Sequence, residues 1–192
     1  MKYKFDAALP EGFTPARVKD VMEARGCIWA QRIPAGELQL AEEIWLLPGE
    51  RGAVRFVQDH FVDVPSIRAE SDIHGEPARI LADLGSDLPL LYAGELSKRA
   101  NSASPERTYA LRALAVIMPD YDGRVVSAYK AALKDPDPAI RMLAMRCISR
   151  YPHFVFAREL ESLAETEPEH KLREEAVQLA KDLRAHGRRG TL

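Results

Sequence analysis

The spacing of hydrophobic and polar residues changes character about two-fifths of the way along the chain. Between Lys2 and Leu9, Tyr3, Phe5 and Ala7 alternate with Lys2, Lys4 and Asp6, the period-two pattern of a half-buried strand. Thr14 and Pro15 then open a helix as N-cap and first helical residue, Val18, Val21 and Met22 form its apolar stripe, and Gly26 ends it. Cys27 to Ile33 reads as a short second strand. Glu43 to Leu47 and Ala53 to Gln58 flank the turn-rich Pro48-Gly49-Glu50-Arg51-Gly52 and predict a hairpin. The extended pattern continues from Phe61 to Ala69, with Pro65 suited to an edge or a bulge. Trp29 and Trp45 are expected in the core of this sheet.

From Glu76 onward the strand signal gives way to helical periodicity. Glu76-Pro77 begins a short helix ended by Gly85. Leu88 to Ala100, Pro105 to Met118, Arg124 to Lys134, Pro138 to Tyr151, Phe154 to Thr166 and Glu169 to His186 follow. Their breaks are rich in proline, aspartate and glycine: Pro119 to Gly123, Asp135-Pro136-Asp137-Pro138, Pro152 and Glu167-Pro168. Helices of this length bury an apolar stripe only when stacked. The pattern therefore predicts an α+β chain. Residues 1–75 would form a small N-terminal β-α-antiparallel sheet domain, residues 76–187 a helical array capped by it, and residues 188–192 a flexible tail.

The helices also repeat. Ile140 to Ile148 superimposes on Leu172 to Ala180 at an offset of 32, each with an aliphatic residue, then Arg, then Ala three positions on. The aliphatic residue and the Ala lie four apart and share a helix face, where the small Ala lets a neighbouring helix approach. A weaker copy runs from Tyr109 to Ile117, with Ala113 in the Ala position. The stretch from Asp135 to Ala144 resembles the bacterial HEAT-repeat family, including the HEAT-like repeats of phycobilin lyases. Pro138, Ile140, Arg141 and Ala144 match that family's second helix; Pro168, Leu172, Arg173 and Ala176 match it without the preceding Asp, and the unit at Pro105 keeps only the Pro and the Ala. This resemblance covers Glu76 to His186 and implies an α-solenoid of about three HEAT-like helix pairs. It is specific for architecture and nearly silent on activity.

Charge sharpens the division. The formal net charge of −2 splits into ten Lys/Arg against fifteen Asp/Glu up to Asp87 (net −5), and 17 against 14 thereafter (net +3). A balance of +3 over the helical part falls short of the concentrated basic surface of a nucleic-acid binder. No apolar run has the length of a membrane span, the N-terminus lacks a signal-peptide pattern, and the two cysteines, Cys27 and Cys147, stand far apart. A cytoplasmic location is expected.

Candidate chemistry is sparse. Asp72-Ile73-His74-Gly75-Glu76 gathers metal-ligand residue types but reads as a polar loop entering a helix, and no catalytic, metal or cofactor motif is expected. Arginines on the second helices of the pairs remain. The resemblance implies that these helices line a concave face and that Arg141 and Arg173 make structural contacts between repeats, whereas Arg107, Arg112, Arg146 and Arg150 are expected to grip a partner's carboxylates or phosphates, with Tyr151 and Phe154 as aromatic anchors at the turn. The expected function is a non-enzymatic protein-binding or scaffold module, in its sharper version an immunity-type inhibitor of a bacterial toxin. A nucleic-acid binder related to HEAT-like DNA glycosylases and a bilin-lyase-like protein are the alternatives.

Overall fold

The computed structural model describes residues 3–37, 39–117 and 121–187. Among them the chain separates into two units, Met1–Tyr92 and Ala93–Leu192. The expected tail at 188–192 and part of the break at 118–120 lie outside the described residues.

The first unit is built on five strands: β1 (Tyr3–Ala8), β2 (Ile28–Ile33), β3 (Ala41–Leu46), β4 (Ala53–Asp59) and β5 (Val64–Ser71). All neighbours are antiparallel, in the order β1-β5-β4-β3-β2. β2 to β5 form a meander, and β1 returns to pair with β5. Helix α1 (Pro15–Ala24) therefore carries the chain from one sheet edge to the other, burying Val18 and Met22. Thr14 stands at the N-cap with extended backbone, but its hydroxyl makes no cap hydrogen bond. The hairpin between β3 and β4 closes through a 3-10 turn at Pro48–Glu50 and a bond from Leu47 N–H to the Gly52 carbonyl (3.0 Å). Gly52 has φ +142°, and a Cβ there would lie 2.1 Å from the Glu70 carbonyl oxygen, so the close approach of β5 requires glycine.

The expected small sheet domain ending at residue 75, followed by a solenoid from Glu76, is corrected here. The sheet draws its strands from Tyr3 through Ser71, and the helix at Glu76 belongs to it. Helix α2 (Glu76–Leu84) packs on β1 and β5 and shares one core with them: Ile80, Leu81 and Leu84 join Leu9, Trp45, Phe56 and Ile67. The segment after it is not helical either. Pro89 disfavours helix at Leu88, and Leu91 instead forms a bridge with Ala8 through paired bonds of 3.0 and 2.8 Å. The sheet-bearing unit thus runs through Tyr92, and the next helix begins at Ala93 rather than Leu88.

Register explains a second correction. Phe5, Ala69, Val54, Trp45 and Trp29 lie in one row across the helix-covered face. Ala69, Val54 and Trp45 in the middle are fully buried, whereas Phe5 and Trp29 at the two edges are 42% and 54% exposed. Trp29 has core chemistry but an edge position, so it is not a core residue.

The second unit contains α3 (Ala93–Ala100), α4 (Arg107–Ile117), α5 (Gly123–Ala132), α6 (Pro138–Arg150), α7 (Ala157–Thr166) and α8 (His170–His186). α3 packs on α4 and α7 on α8; α4, α6 and α8 follow one another in a row, with α3 beside α5. Small residues stand at the close approaches: Ala113, Ala144 and Ala176 are fully buried at equivalent helix positions. Asp122 caps α5 by accepting the Arg124 N–H (2.8 Å), and Asp137 caps α6 by accepting the Ala139 N–H (2.8 Å), with Pro138 in the first turn.

Candidate functional site: arginine clamps and a groove in the helical unit

One device recurs at the start of the second helix of each pair. The Arg107 Nε donates to the Ala100 carbonyl (3.1 Å) at the end of α3, and its Nη1 meets Asp135 in the next pair's loop at 2.6 Å. Arg141 does the same more fully. Its Nη1 donates to the carbonyls of Asp135 (2.8 Å) and Pro136 (3.0 Å), while Nε and Nη2 clasp the Glu167 carboxylate, each at 2.7 Å. Arg173 donates Nη1 to the Glu167 carbonyl (3.0 Å). A bidentate guanidinium suits this task because one edge binds loop carbonyls while the other holds a carboxylate. In the weaker repeat copy Arg107 stands one helical turn before the position aligned with Arg141, which displaces it in the sequence pattern but keeps it on the same face.

These contacts set the charge of the acids. The hydrogen bonds from Arg141, opposed by burial and helped by the Glu169 N–H, hold the Glu167 carboxyl below its usual range. At Asp135 burial works against the charge, but the Asp137 N–H and Arg107 outweigh it and the carboxyl is again lowered.

Between the α5–α6 loop and α7 lies an open groove of about 670 Å³, walled by Leu133, Pro136, Leu163 and Pro168 with Ser162 and Thr166 along one side. The Arg141–Glu167 pair lines its wall. Lys130 neutralises Glu159 at 2.6 Å, where one carboxylate oxygen, Oε2, is buried without a hydrogen-bond partner. The remaining lining charges, Lys134 and Arg158, are both exposed cations without an ion pair among the described residues. The groove thus presents a mixed wall of proline, leucine and hydroxyl side chains with two cations that have no ion pair among the described residues.

None of the six residues expected to bind a partner lines this groove. Arg107 is occupied by Ala100 and Asp135. Arg112 lies half-buried, its guanidinium 5.5 Å from the Tyr109 ring centroid. Arg146 and Arg150 are exposed on α6, and Arg146 makes no ion pair among the described residues. Tyr151 is not an exposed anchor: it closes α6, is 3% exposed, and stacks on the buried His153 with centroids 6.1 Å apart. Phe154 is half-buried beneath Arg184 at 5.1 Å. Sequence reasoning passed over Lys134 and Arg158 because neither belongs to the repeat motif; the available signal was a cation beside each of two consecutive interhelical breaks.

The sheet-bearing unit offers a different surface. On the face opposite the core row, Lys4–Glu70 (3.5 Å), Glu70–Arg55 (3.1 Å), Arg55–Glu42 (2.8 Å) and Asp6–Arg68 (2.7 Å) cross four strands and consume their own charge. Burial raises the Asp6 carboxyl above its usual range despite Arg68. Toward the β2 edge this face turns apolar, with Leu46 and Ile28 paired and 47% and 66% exposed.

Among the described residues no group of three or more His, Cys, Asp or Glu could hold a metal ion. In the loop at Asp72–Glu76, His74 meets the Tyr3 ring edge-on at 5.0 Å and Glu76 pairs with Arg51 at 2.7 Å. Cys147 is fully buried and Cys27 nearly so, and neither is in a disulfide. No helix among the described residues is long and apolar enough to cross a membrane. No family model matches the chain, and neither a curated protein nor a solved structure matches it.

Proposed function

We propose that this chain is a protein-binding module and that its helical unit takes an acidic segment of a partner into the Lys134–Arg158 groove. One observation carries the reading. The groove neutralises its own acids, Glu159 with Lys130 and Glu167 with Arg141, yet leaves Lys134 and Arg158 exposed and, among the described residues, without an ion pair beside its proline and leucine side chains. Such a surface favours a segment that offers carboxylates at its margin and aliphatic side chains at its centre. The resemblance of Asp135 to Ala144 to HEAT-like repeats supports the same class of function, since repeat arrays of that kind hold partners. The net −5 of the sheet-bearing part favours a toxin-neutralising version, in which a second, basic surface of the partner is met by that unit. Two buried cysteines outside any disulfide suit the cytoplasm.

The test is co-purification of the full chain from its native host, followed by Lys134→Glu/Arg158→Glu. A stoichiometric protein partner that binds the wild type and is lost at least roughly tenfold on double charge reversal supports the proposal. A partner indifferent to the reversal contradicts the groove. Salt-sensitive retention of DNA in place of any protein contradicts the protein-binding reading itself.

A further inference from the structure

A second groove, of about 640 Å³, opens between α3 and α5 of the helical unit. Gly94, Ser97, Lys98 and, just past the helix end, Asn101 form its first wall; their spacing of i, i+3, i+4 and i+7 sets them in one column. Gly123, Arg124 and Ser127 in the first turns of α5 form the other. None of these lining residues is acidic, and their polar side chains are rich in hydrogen-bond donors.

Those donors are unengaged. Ser97 is 5% exposed, yet its hydroxyl has no hydrogen-bond partner among the described residues. The fold satisfies other enclosed hydroxyls: that of the buried Tyr129 donates to the Leu111 carbonyl at 2.8 Å. The Ser127 hydroxyl and the exposed Lys98 ammonium make no hydrogen bond or ion pair among the described residues either. Arg124 is held along one edge only. Asp122 accepts from its Nε at 3.1 Å and its Nη2 at 2.6 Å, which fixes the guanidinium. Nη1 lies against α3, where a Cβ on Gly94 would stand 3.1 Å from it, so glycine at that position leaves the donor its room. An enclosed hydroxyl without a partner is destabilising, and a ligand oxygen at the groove wall relieves it.

We propose that the α3–α5 groove binds a small phosphate monoester, whose phosphoryl oxygens accept from Lys98, Nη1 of Arg124, Ser97 and Ser127. Donors from four side chains, two of them cationic, exceed what the two oxygens of a carboxylate engage and suit the three terminal oxygens of a phosphoryl group. Asn101 gives an Nδ2 hydrogen to the Ser97 carbonyl at 2.9 Å, which leaves its amide oxygen to accept from a hydroxyl of the ester's organic part. The groove has the volume of a small-molecule site and shares no lining residue with the Lys134–Arg158 groove.

The test is titration of the full chain with glycerol 3-phosphate in phosphate-free buffer, followed by calorimetry and by the amide NMR shifts of α3 and α5. Saturable binding that moves those shifts is expected. Lys98→Gln and Arg124→Gln are each expected to weaken it roughly tenfold, and Ser97→Ala roughly threefold, with circular dichroism unchanged. Inorganic phosphate is expected to bind more weakly than the ester, and acetate and glycerol not at all. Lys134→Glu/Arg158→Glu is expected to leave binding intact, so failure here and failure of the partner groove are separable. Absence of saturable binding, or binding indifferent to Lys98→Gln and Arg124→Gln, overturns the proposal. Acetate that binds as tightly as glycerol 3-phosphate overturns the phosphoryl assignment, and inorganic phosphate that does so overturns the ester. Duplex DNA that moves the same amides more strongly, with a steep salt dependence, shows a nucleic-acid backbone as the occupant and overturns the assignment to a small ligand.

Discussion

The two units handle charge and volume in opposite ways. The sheet-bearing unit fills its centre with a few large side chains, Trp45, Phe56, Ile67 and Met22 among them, and spreads its charges into a lateral network that closes on itself across four strands. The helical unit fills its centre with many small and medium residues, repeating a buried alanine at 113, 144 and 176. Its charges act serially: Arg107 and Arg141 each fasten their own pair and then reach for the next loop, and Arg173 fastens the Glu167 carbonyl. The difference teaches why the cations proposed for partner recognition, Lys134 and Arg158, lie in the helical unit although the sheet-bearing unit is also rich in ion pairs.

Truncation and enlargement should separate the two kinds of core. Trp45→Ala removes the largest fully buried side chain of the first unit and is expected to cost about 4 kcal/mol, seen in urea denaturation and as loss of amide protection in β3 and β4. Between the units in size of effect is the clamp. Arg141→Ala leaves the buried Glu167 carboxylate without its main partner and should cost about 3 kcal/mol, whereas Arg173→Ala, losing one bond to a carbonyl, should cost about 1 kcal/mol. Equal costs for the two arginines would show that the clamp is not serial. Ala144→Leu inserts bulk where helices approach closely and is expected to cost about 2 kcal/mol, confined to protection in α4 and α6.

Acid should pull the units apart more gently. Glu167 and Asp135 have folded-state pKa values below their unfolded ones, so the folded helical unit binds fewer protons between the two values. Its stability is complete above the ordinary carboxylate range and falls as pH drops through the depressed values. Asp6 has the opposite sign: its folded pKa is raised by burial, so protonation there favours the folded sheet, and its contribution declines as pH rises through that raised value. Hydrogen exchange across pH 3 to 6 (roughly the carboxylate range) is expected to show α6 and α8 losing protection on acidification before β1 and β5. The reverse order would contradict the assignment of these acids.

Local pattern made most elements legible. Alternation in Lys2 to Leu9, the turn-rich segment at Pro48 to Gly52 and the proline-aspartate breaks each act over a few residues, and the structure places β1, the β3–β4 hairpin and the start of α6 there. Non-local pairing was not legible. Nothing near Tyr3 announces β5 as its partner some 60 residues away, and the periodicity of Glu76 to Leu84 is the same whether that helix packs on helices or on a sheet. Trp29 went astray because composition reports burial preference while register decides position. The structural arginines were readable because Arg141 and Arg173 recur at one offset. The groove was hidden because Lys134 lies in the α5–α6 loop and Arg158 on α7, and only folding brings them to one groove.

The most direct measurement of the central claim, that the helical unit reads acidic protein segments through cations left over from its clamps, is affinity capture by the full chain with and without Lys134→Glu/Arg158→Glu. The account predicts a protein partner whose capture collapses on reversal and recovers when acidic residues of that partner are changed to lysine, with the thermal midpoint of the variant unchanged. Undiminished capture by a folded Lys134→Glu/Arg158→Glu variant would contradict it.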